Sequence, residues 1–300
     1  MSQMFYLCLD IGGTEIKVNI LDQNYQCFYP EDYHYPSKAQ SSKQEILKHF
    51  TVILEEQLQN FKGSIQGIGF AFPGPFDYFH GVSLMQGLGK FESLYQVNIA
   101  NFVQQWLLSQ RYTSGFPICF ENDAVAFAIG EYQEGVAKQA EKMICLTLGT
   151  GFGSTFIEQG GRVVRSQYGL PDSGMLYQQP FLDGVIENYL SANGLASIAQ
   201  QFSLEDWDGL SVSKAAAAGS NEAQQVFHQF GVMVGIALHP YVHAFAPDCI
   251  VFGGQISKSF TWMEKGIEAG MDYQKSLDMI ASPYGSRSTY KGLCHQLKQL

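Results

Sequence analysis

Apolar and polar positions follow two rhythms along this chain, and each change of rhythm marks an element. Residues 5–11, FYLCLDI, are almost wholly apolar and read as a buried strand. Residues 15–21, EIKVNIL, alternate, with Ile16, Val18 and Ile20 on one face and Lys17 and Asn19 on the other, the period of a second strand. Between them stand Gly12, Gly13 and Thr14. Three readings compete for that turn: a phosphate loop, a plain hairpin, or the start of a dinucleotide site. A Rossmann site or a Walker loop opens a helix, and here neither a helical pattern nor a G-K-[ST] sequence follows, which weakens both.

Helical spacing begins after Ser41 and Ser42, either of which is a candidate cap, with Leu47, Phe50, Leu54 and Leu58 on one face beside Ile46 and Ile53. The stretch IQGIGFAFPGPFD reads as a strand running into a Pro–Gly turn, and NIANFVQQWLLSQR as a helix. FPICFENDAVAFAIGEY predicts a short strand, a polar turn and a helix starting near Asn122. Next, MICLTLGTGFGSTFIEQGGRVV repeats the opening pattern. Placing Cys8 on Cys145 puts Leu9 on Leu146, Asp10 on Thr147, Ile11 on Leu148, Gly12 on Gly149 and Ile20 on Ile157. The apolar segment FGVMVGIALHPYVHAFAP, interrupted by glycines, histidines and Pro240, reads as a buried helix rather than a membrane span. DCIVFGGQIS is a buried strand ending at a third turn, Gly253–Gly254. The expected architecture is therefore two similar α/β domains, residues 1–120 and 121–285. A C-terminal helix at about 286–300 is expected to pack back on the first. Cofactor sites favour clefts between domains, so a ligand with a chain of phosphates is expected between the two glycine loops.

Composition narrows the partners. The chain has 300 residues, 46% of them hydrophobic, enough to bury a core, and a net charge of −10. That charge argues against nucleic acid and anionic membranes, which are held by Lys and Arg, but not against a small phosphate ligand bound by local backbone N–H groups. Six scattered cysteines lack any C-x-x-C spacing, which points to a reducing compartment and no zinc motif. No signal peptide is evident, so a cytoplasmic location is expected.

Five motifs now stand in order: DIGGT at Asp10–Thr14, GIGFAFPGPFD at Gly67–Asp77, ENDAVAFAIGE at Glu121–Glu131, LTLGTGFG at Leu146–Gly153, and APDCIVFGG at Ala246–Gly254. Together they resemble the ROK family of bacterial sugar kinases and sugar-responsive repressors, within the actin/hexokinase/Hsp70 ATPase superfamily. The resemblance spans almost the whole chain. It implies two actin-like, ribonuclease H-like α/β domains with an interdomain cleft, and transfer of the ATP γ-phosphoryl group to a sugar hydroxyl with Mg²⁺. Repressor members carry an added N-terminal helix-turn-helix. The first strand begins by Phe5, so the kinase is expected here, glucokinase-like, and family habit implies a homodimer.

The residues themselves carry two readings each. Gly12, Gly13 and Thr14 suit a hairpin, since glycine serves wherever φ is positive, and equally an anion-binding nest. The resemblance places Asp10 near Mg²⁺, through water. Gly149, Thr150, Gly151 and Gly153 repeat the loop; Gly253 and Gly254 either end a strand or, by resemblance, adjoin the adenosine. Asn122 and Asp123 suit a helix cap. The resemblance makes Asn122 a sugar ligand and Asp123 the general base, and an aspartate accepting the hydroxyl proton serves kinases generally. Pro73 and Gly74 read either as a plain loop or, by resemblance, as the tight turn that the family uses at the mouth of the sugar site.

The pattern also departs from the family. Most kinases of this kind carry a Glu-x-Gly-His element and a Cys-rich zinc loop, but this chain has no Cys between Cys145 and Cys249. DSGM at Asp172–Met175 takes the place of Glu-x-Gly-His, with Asp172 for Glu and Met175 for His. Methionine cannot donate a hydrogen bond as imidazole does. Glu187 is the candidate for the loop's terminal, sugar-binding Glu, against the reading of an ordinary helix-surface residue. Loss of the polar contact would relax selectivity or admit a β-glucoside or an N-acylated hexosamine or mannosamine. A sugar-sensing protein without turnover is the alternative of another class. Lys90, in GLGKFES, has two readings, a residue near the cleft or a solvated lysine, of which the second is preferred.

Overall fold

The structure, a computed structural model, describes residues 3–112, 117–164, 167–204 and 208–300. The chain divides into two compact units, residues 1–134 with 286–300, and residues 135–285.

The first unit is built on β1 (Met4–Ile11), the centre of a five-stranded sheet. Its five consecutive buried positions from Phe5 to Leu9 need cover on both faces, as a parallel-sheet interior provides. β2 (Glu15–Asp22) returns antiparallel through the Gly12–Thr14 turn, with Asp10 opposite Lys17, and β3 (Tyr33–Pro36) extends that edge. Helix α1 (Lys43–Asn60) starts at Ser42, which shares a reciprocal capping box with Glu45. It buries Ile46, Leu47, Phe50, Ile53 and Leu54, each worth about 1.5–3 kcal/mol. β4 (Ser64–Ala71) lies parallel to β1. It is followed by the small hairpin β5 (Phe76–Asp77) and β6 (Val82–Ser83), then helix α2 (Ile99–Ser109), capped by Asn98. β7 (Ile118–Glu121) pairs parallel with β4 and leads into α3 (Asp123–Glu134). The sheet order is β3-β2-β1-β4-β7.

The second unit repeats the plan. β8 (Lys142–Leu148) and β9 (Phe152–Glu158) form its glycine hairpin, and β10 (Gly161–Arg162) continues the edge. The small pair β11 (Pro180–Phe181) and β12 (Gly184–Val185) precedes α4 (Ile186–Tyr189), α5 (Ala192–Gln201) and α6 (Gly209–Ala217). Helix α7 (Asn221–Phe245) runs unbroken through Pro240. No described helix is long and apolar enough to cross a membrane. β13 (Cys249–Gly253), α8 (Phe260–Met271) and β14 (Asp278–Ala281) complete the unit. Both β13 pairings are parallel, giving the order β10-β9-β8-β13-β14. This matches the first sheet strand for strand, so the internal repeat seen at the two hairpins extends to the whole five-stranded topology. All six cysteines are free thiols.

Residues 121–134 belong to the first unit, not the second as expected. The reason is a seam between α3 and the C-terminal helix, Ser286–Leu297. A Cβ at Gly130 would collide with the Ser288 carbonyl, and one at Gly292 with the Ala126 carbonyl, so the two backbones nearly touch. Ser288 Oγ donates to Glu131 Oε1 across the seam at 2.6 Å, with both side chains fully buried. Gly130→Ala is therefore expected to destabilise the fold by about 1–3 kcal/mol, as overpacking does, read as a lower denaturation midpoint. An unchanged midpoint would show that the seam yields freely.

Candidate active site

In the first unit the Gly12–Thr14 turn is held from behind. Gly12 N donates to Glu15 O at 2.8 Å, closing the hairpin. Ser37, itself buried, donates from Oγ to Gly13 O at 2.6 Å and from its backbone N to Thr14 O at 2.9 Å. The carbonyls are thus pinned, while the N–H groups of Gly13 and Thr14 have no protein acceptor among the described residues. Both residues are exposed. Unclaimed amides at a turn whose carbonyls face away are what an anion needs. Sequence reasoning did not single out Ser37; nothing in the string YPSK marks it, because its role depends on β3 folding back on β2.

Asp10 is the penultimate residue of β1, just before this turn, and is half-buried. Burial pushes its carboxyl up to about 6; a hydrogen bond from Ser286 opposes the rise, and the charge of Asp123 adds to it. Asp123 opens α3 and is likewise raised, first by burial, against a hydrogen bond from Ala124 N at 3.0 Å and the positive charge of Lys90. The unit therefore gathers Asp10, Asp123, Lys90 and the glycine turn into one electrostatic neighbourhood. Lys90 is half-buried rather than solvated, and a Cβ placed on Gly13 would lie 3.5 Å from its Cδ.

The cap of α3 is Asn122, whose Oδ1 accepts from Ala124 N at 3.0 Å and Val125 N at 3.2 Å. Its Nδ2 donates to Tyr78 Oη at 3.2 Å, and Tyr78 Oη in turn donates to Phe72 O at 3.0 Å. Pro73 and Gly74 follow β4 beside this pair; a Cβ on Gly74 would lie 3.2 Å from Tyr78 Oη. Pro73, Gly74, Asn122 and the unforeseen Tyr78 are thus one cluster. With Asn122 doing the capping, the Asp123 carboxylate is not required for it.

In the second unit, Gly149 N donates to Gly151 O at 3.1 Å, and Ala192 N to Gly149 O at 2.8 Å. Glu187, in the first turn of α4, accepts from Phe152 N at 2.9 Å, and a Cβ on Gly151 would lie 2.6 Å from its Oε2. Glu187 therefore buttresses the second glycine turn. Thr150 is exposed at its tip, and Gly153 lies in β9 opposite Thr147. Gly254, at φ 86°, packs directly on the Leu148 carbonyl, so only glycine fits there; Gly253 ends β13 opposite Thr147. The turns at 149–151 and 253–254 are therefore neighbours. Asp172 is exposed on its own turn and makes no hydrogen bond or ion pair among the described residues. Met175 is half-buried, its N–H bonded to Ser173 Oγ at 3.2 Å. No group of three or more His, Cys, Asp or Glu among the described residues could hold a metal.

Comparison with known proteins gives one picture. The model of the ROK family matches residues 6–274. A glucokinase of Halalkalibacterium halodurans is 26% identical over 294 residues, 89% of this chain and 85% of the relative. An N-acetyl-D-glucosamine kinase of Haemophilus influenzae is 24% identical over 84% of each chain. Among solved structures, a ROK family glucokinase from Streptomyces griseus, in complex with glucose and AMPPNP, superposes with a TM-score of 0.80 at 19% identity. That match covers 99% of this chain and 100% of that one.

The raised Asp10 carboxyl has a consequence for stability. The folded-state value of about 6 lies above the ordinary 3.8, so the folded protein binds the proton more tightly than the unfolded chain. Stability then falls as pH rises from about 4 to about 6, and the full cost, on the order of 3 kcal/mol, stands above that window. In metal-free buffer Asp10→Asn is expected to be more stable than the parent at pH 8, with the difference shrinking toward pH 4. Equal denaturation midpoints at pH 8 would contradict the buried-charge account.

Proposed function

The chain belongs to the ROK family, and we propose that it is an ATP-dependent carbohydrate kinase of the glucokinase-like kind. It transfers the γ-phosphoryl group of ATP to a hydroxyl of a hexose. The observation that carries the reading is the first unit's assembly: two carboxylates raised by burial, that of Asp10 also by the charge of Asp123, beside a turn whose carbonyls are pinned and whose amides are unclaimed.

The roles follow from chemistry. The N–H groups of Gly13 and Thr14 hold phosphate oxygens. Gly149, Thr150 and Gly151 serve the phosphates likewise, and Gly253 and Gly254 adjoin the adenosine. Asp123 accepts the proton of the attacking sugar hydroxyl, whose oxygen forms the new bond to phosphorus as the bond to ADP breaks. Asn122, Pro73 and Gly74 orient the sugar. A hard dication suits the Asp10 carboxylate, since positive charge relieves its repulsion with Asp123. Asp10 is the residue that would hold Mg²⁺, which would neutralise charge on the phosphates. The reading includes a cytoplasmic setting and, from family habit, a homodimer.

Acceptance of an N-acylated hexosamine is the second reading. Met175, half-buried where the family usually has an imidazole, removes one polar contact, and an N-acetyl-D-glucosamine kinase is among the relatives.

Release of ADP from Mg·ATP, screened against glucose, other hexoses, β-glucosides and N-acetylated hexosamines, is expected to rise with at least one acceptor. No release above background across the panel would end the kinase reading. Asp123→Asn is expected to keep sugar affinity and lower kcat by about 10²- to 10⁴-fold. A folded Asp123→Asn protein with near-normal kcat would move the base to Asp172 or Glu187.

A further inference from the structure

Lys90 stands at the tip of a loop that the structure holds firmly at both ends. Met85 before it and Phe91 and Leu94 after it are fully buried. Phe91 N donates to Ala39 O at 2.6 Å, and Gly89 N to Glu92 Oε1 at 2.8 Å. Phe91 is kept at φ 53°, a left-handed conformation that a bulky residue adopts only where the surroundings impose it. Gly87 and Gly89, at φ 71° and 68°, complete the bend. Its outcome is to lay the aliphatic stem of Lys90 over Gly13, with Cδ 3.5 Å from where a Cβ would stand. The ammonium acts on Asp123 electrostatically, yet among the described residues Lys90 forms no hydrogen bond or ion pair. A strained, anchored loop thus delivers a cation with three unspent donors beside the Gly12–Thr14 turn and within electrostatic reach of Asp123.

We propose that Lys90 is a further catalytic residue, the cation that grips the phosphoryl group in transfer: its ammonium contacts the γ-phosphate oxygens of ATP seated at the Gly12–Thr14 turn. The inference rests on the kinase reading for the identity of the nucleotide, and on the loop geometry for everything else. A charge at this point neutralises the phosphoryl oxygens as they approach the anionic base, and it has no counterpart to hold in ADP.

The test is calorimetric titration of Mg·AMPPNP and Mg·ADP into the full-length protein and its variants, with sugar phosphorylation measured alongside. Lys90→Met is expected to weaken AMPPNP about 10- to 100-fold, the range of a charge-assisted hydrogen bond, while leaving ADP affinity unchanged. Lys90→Arg is expected to recover most of the loss. Should Lys90→Met lose the parent's circular dichroism, Lys90→Gln is read in its place. A variant that binds both nucleotides as the parent does overturns the inference and leaves the kinase reading standing. Selective loss of AMPPNP in a protein that phosphorylates no sugar upholds the contact of Lys90 with the γ-phosphate but ends the kinase reading and, with it, the catalytic role. A parent that binds neither nucleotide ends both.

Discussion

The grip of Ser37 on the first glycine turn is the constraint from which the site follows. A two-strand hairpin has no use for free amides, and left alone its turn would face either way. By donating to the carbonyls of both Gly13 and Thr14, Ser37 fixes which side of the turn presents N–H groups. Those groups are then pre-oriented donors that need no reorganisation when an anion arrives, which is what makes such contacts effective in phosphoryl transfer. Asp10, one step earlier on β1, inherits the position and with it a burial that its charge resists. The site is held at a cost in stability, as functional carboxylates commonly are.

The second dependence is on close helix packing. Asp123 is aimed by α3, and α3 is locked to the C-terminal helix through the Gly130–Gly292 seam and the buried Glu131–Ser288 hydrogen bond. Residues more than 150 positions apart thereby fix the proposed base. The second unit uses the same device, with Gly231 and Gly235 of α7 set against the backbone of α8, and Gly266 and Gly270 set against α7. What interrupts the apolar pattern of α7 in the sequence is therefore an approach surface rather than a break in the helix.

Much of this was legible in the chain. The strands at 4–11, 15–22 and 249–253 and the helix at 43–60 follow from their apolar periods, and Ser42 was one of two caps named. The repeat of Cys8 on Cys145 pointed to two similar α/β domains, and the two sheets share one strand order. What escaped were contacts set by folding rather than by pattern. Ser37 and Tyr78 are unremarkable in sequence because their partners lie across a turn or a sheet edge. For Lys90 the solvated reading was preferred to one near the cleft because nothing local says that its loop bends over Gly13. The division near residue 120 missed α3 because the glycines that tie it to the C-terminal helix are far apart along the chain. Asn122 and Asp123 carried two readings between them, and the geometry gives the capping to Asn122.

The central claim is that the Gly12–Thr14 turn is a phosphate loop with Gly13 and Thr14 as its donors. A crystal structure of the protein with Mg·AMPPNP tests it most directly. The account expects phosphate oxygens about 3 Å from the amide nitrogens of Gly13 and Thr14, with the Ser37 bonds to the two carbonyls kept. Nucleotide bound with those two amides facing water, or with its phosphates held elsewhere, would contradict it.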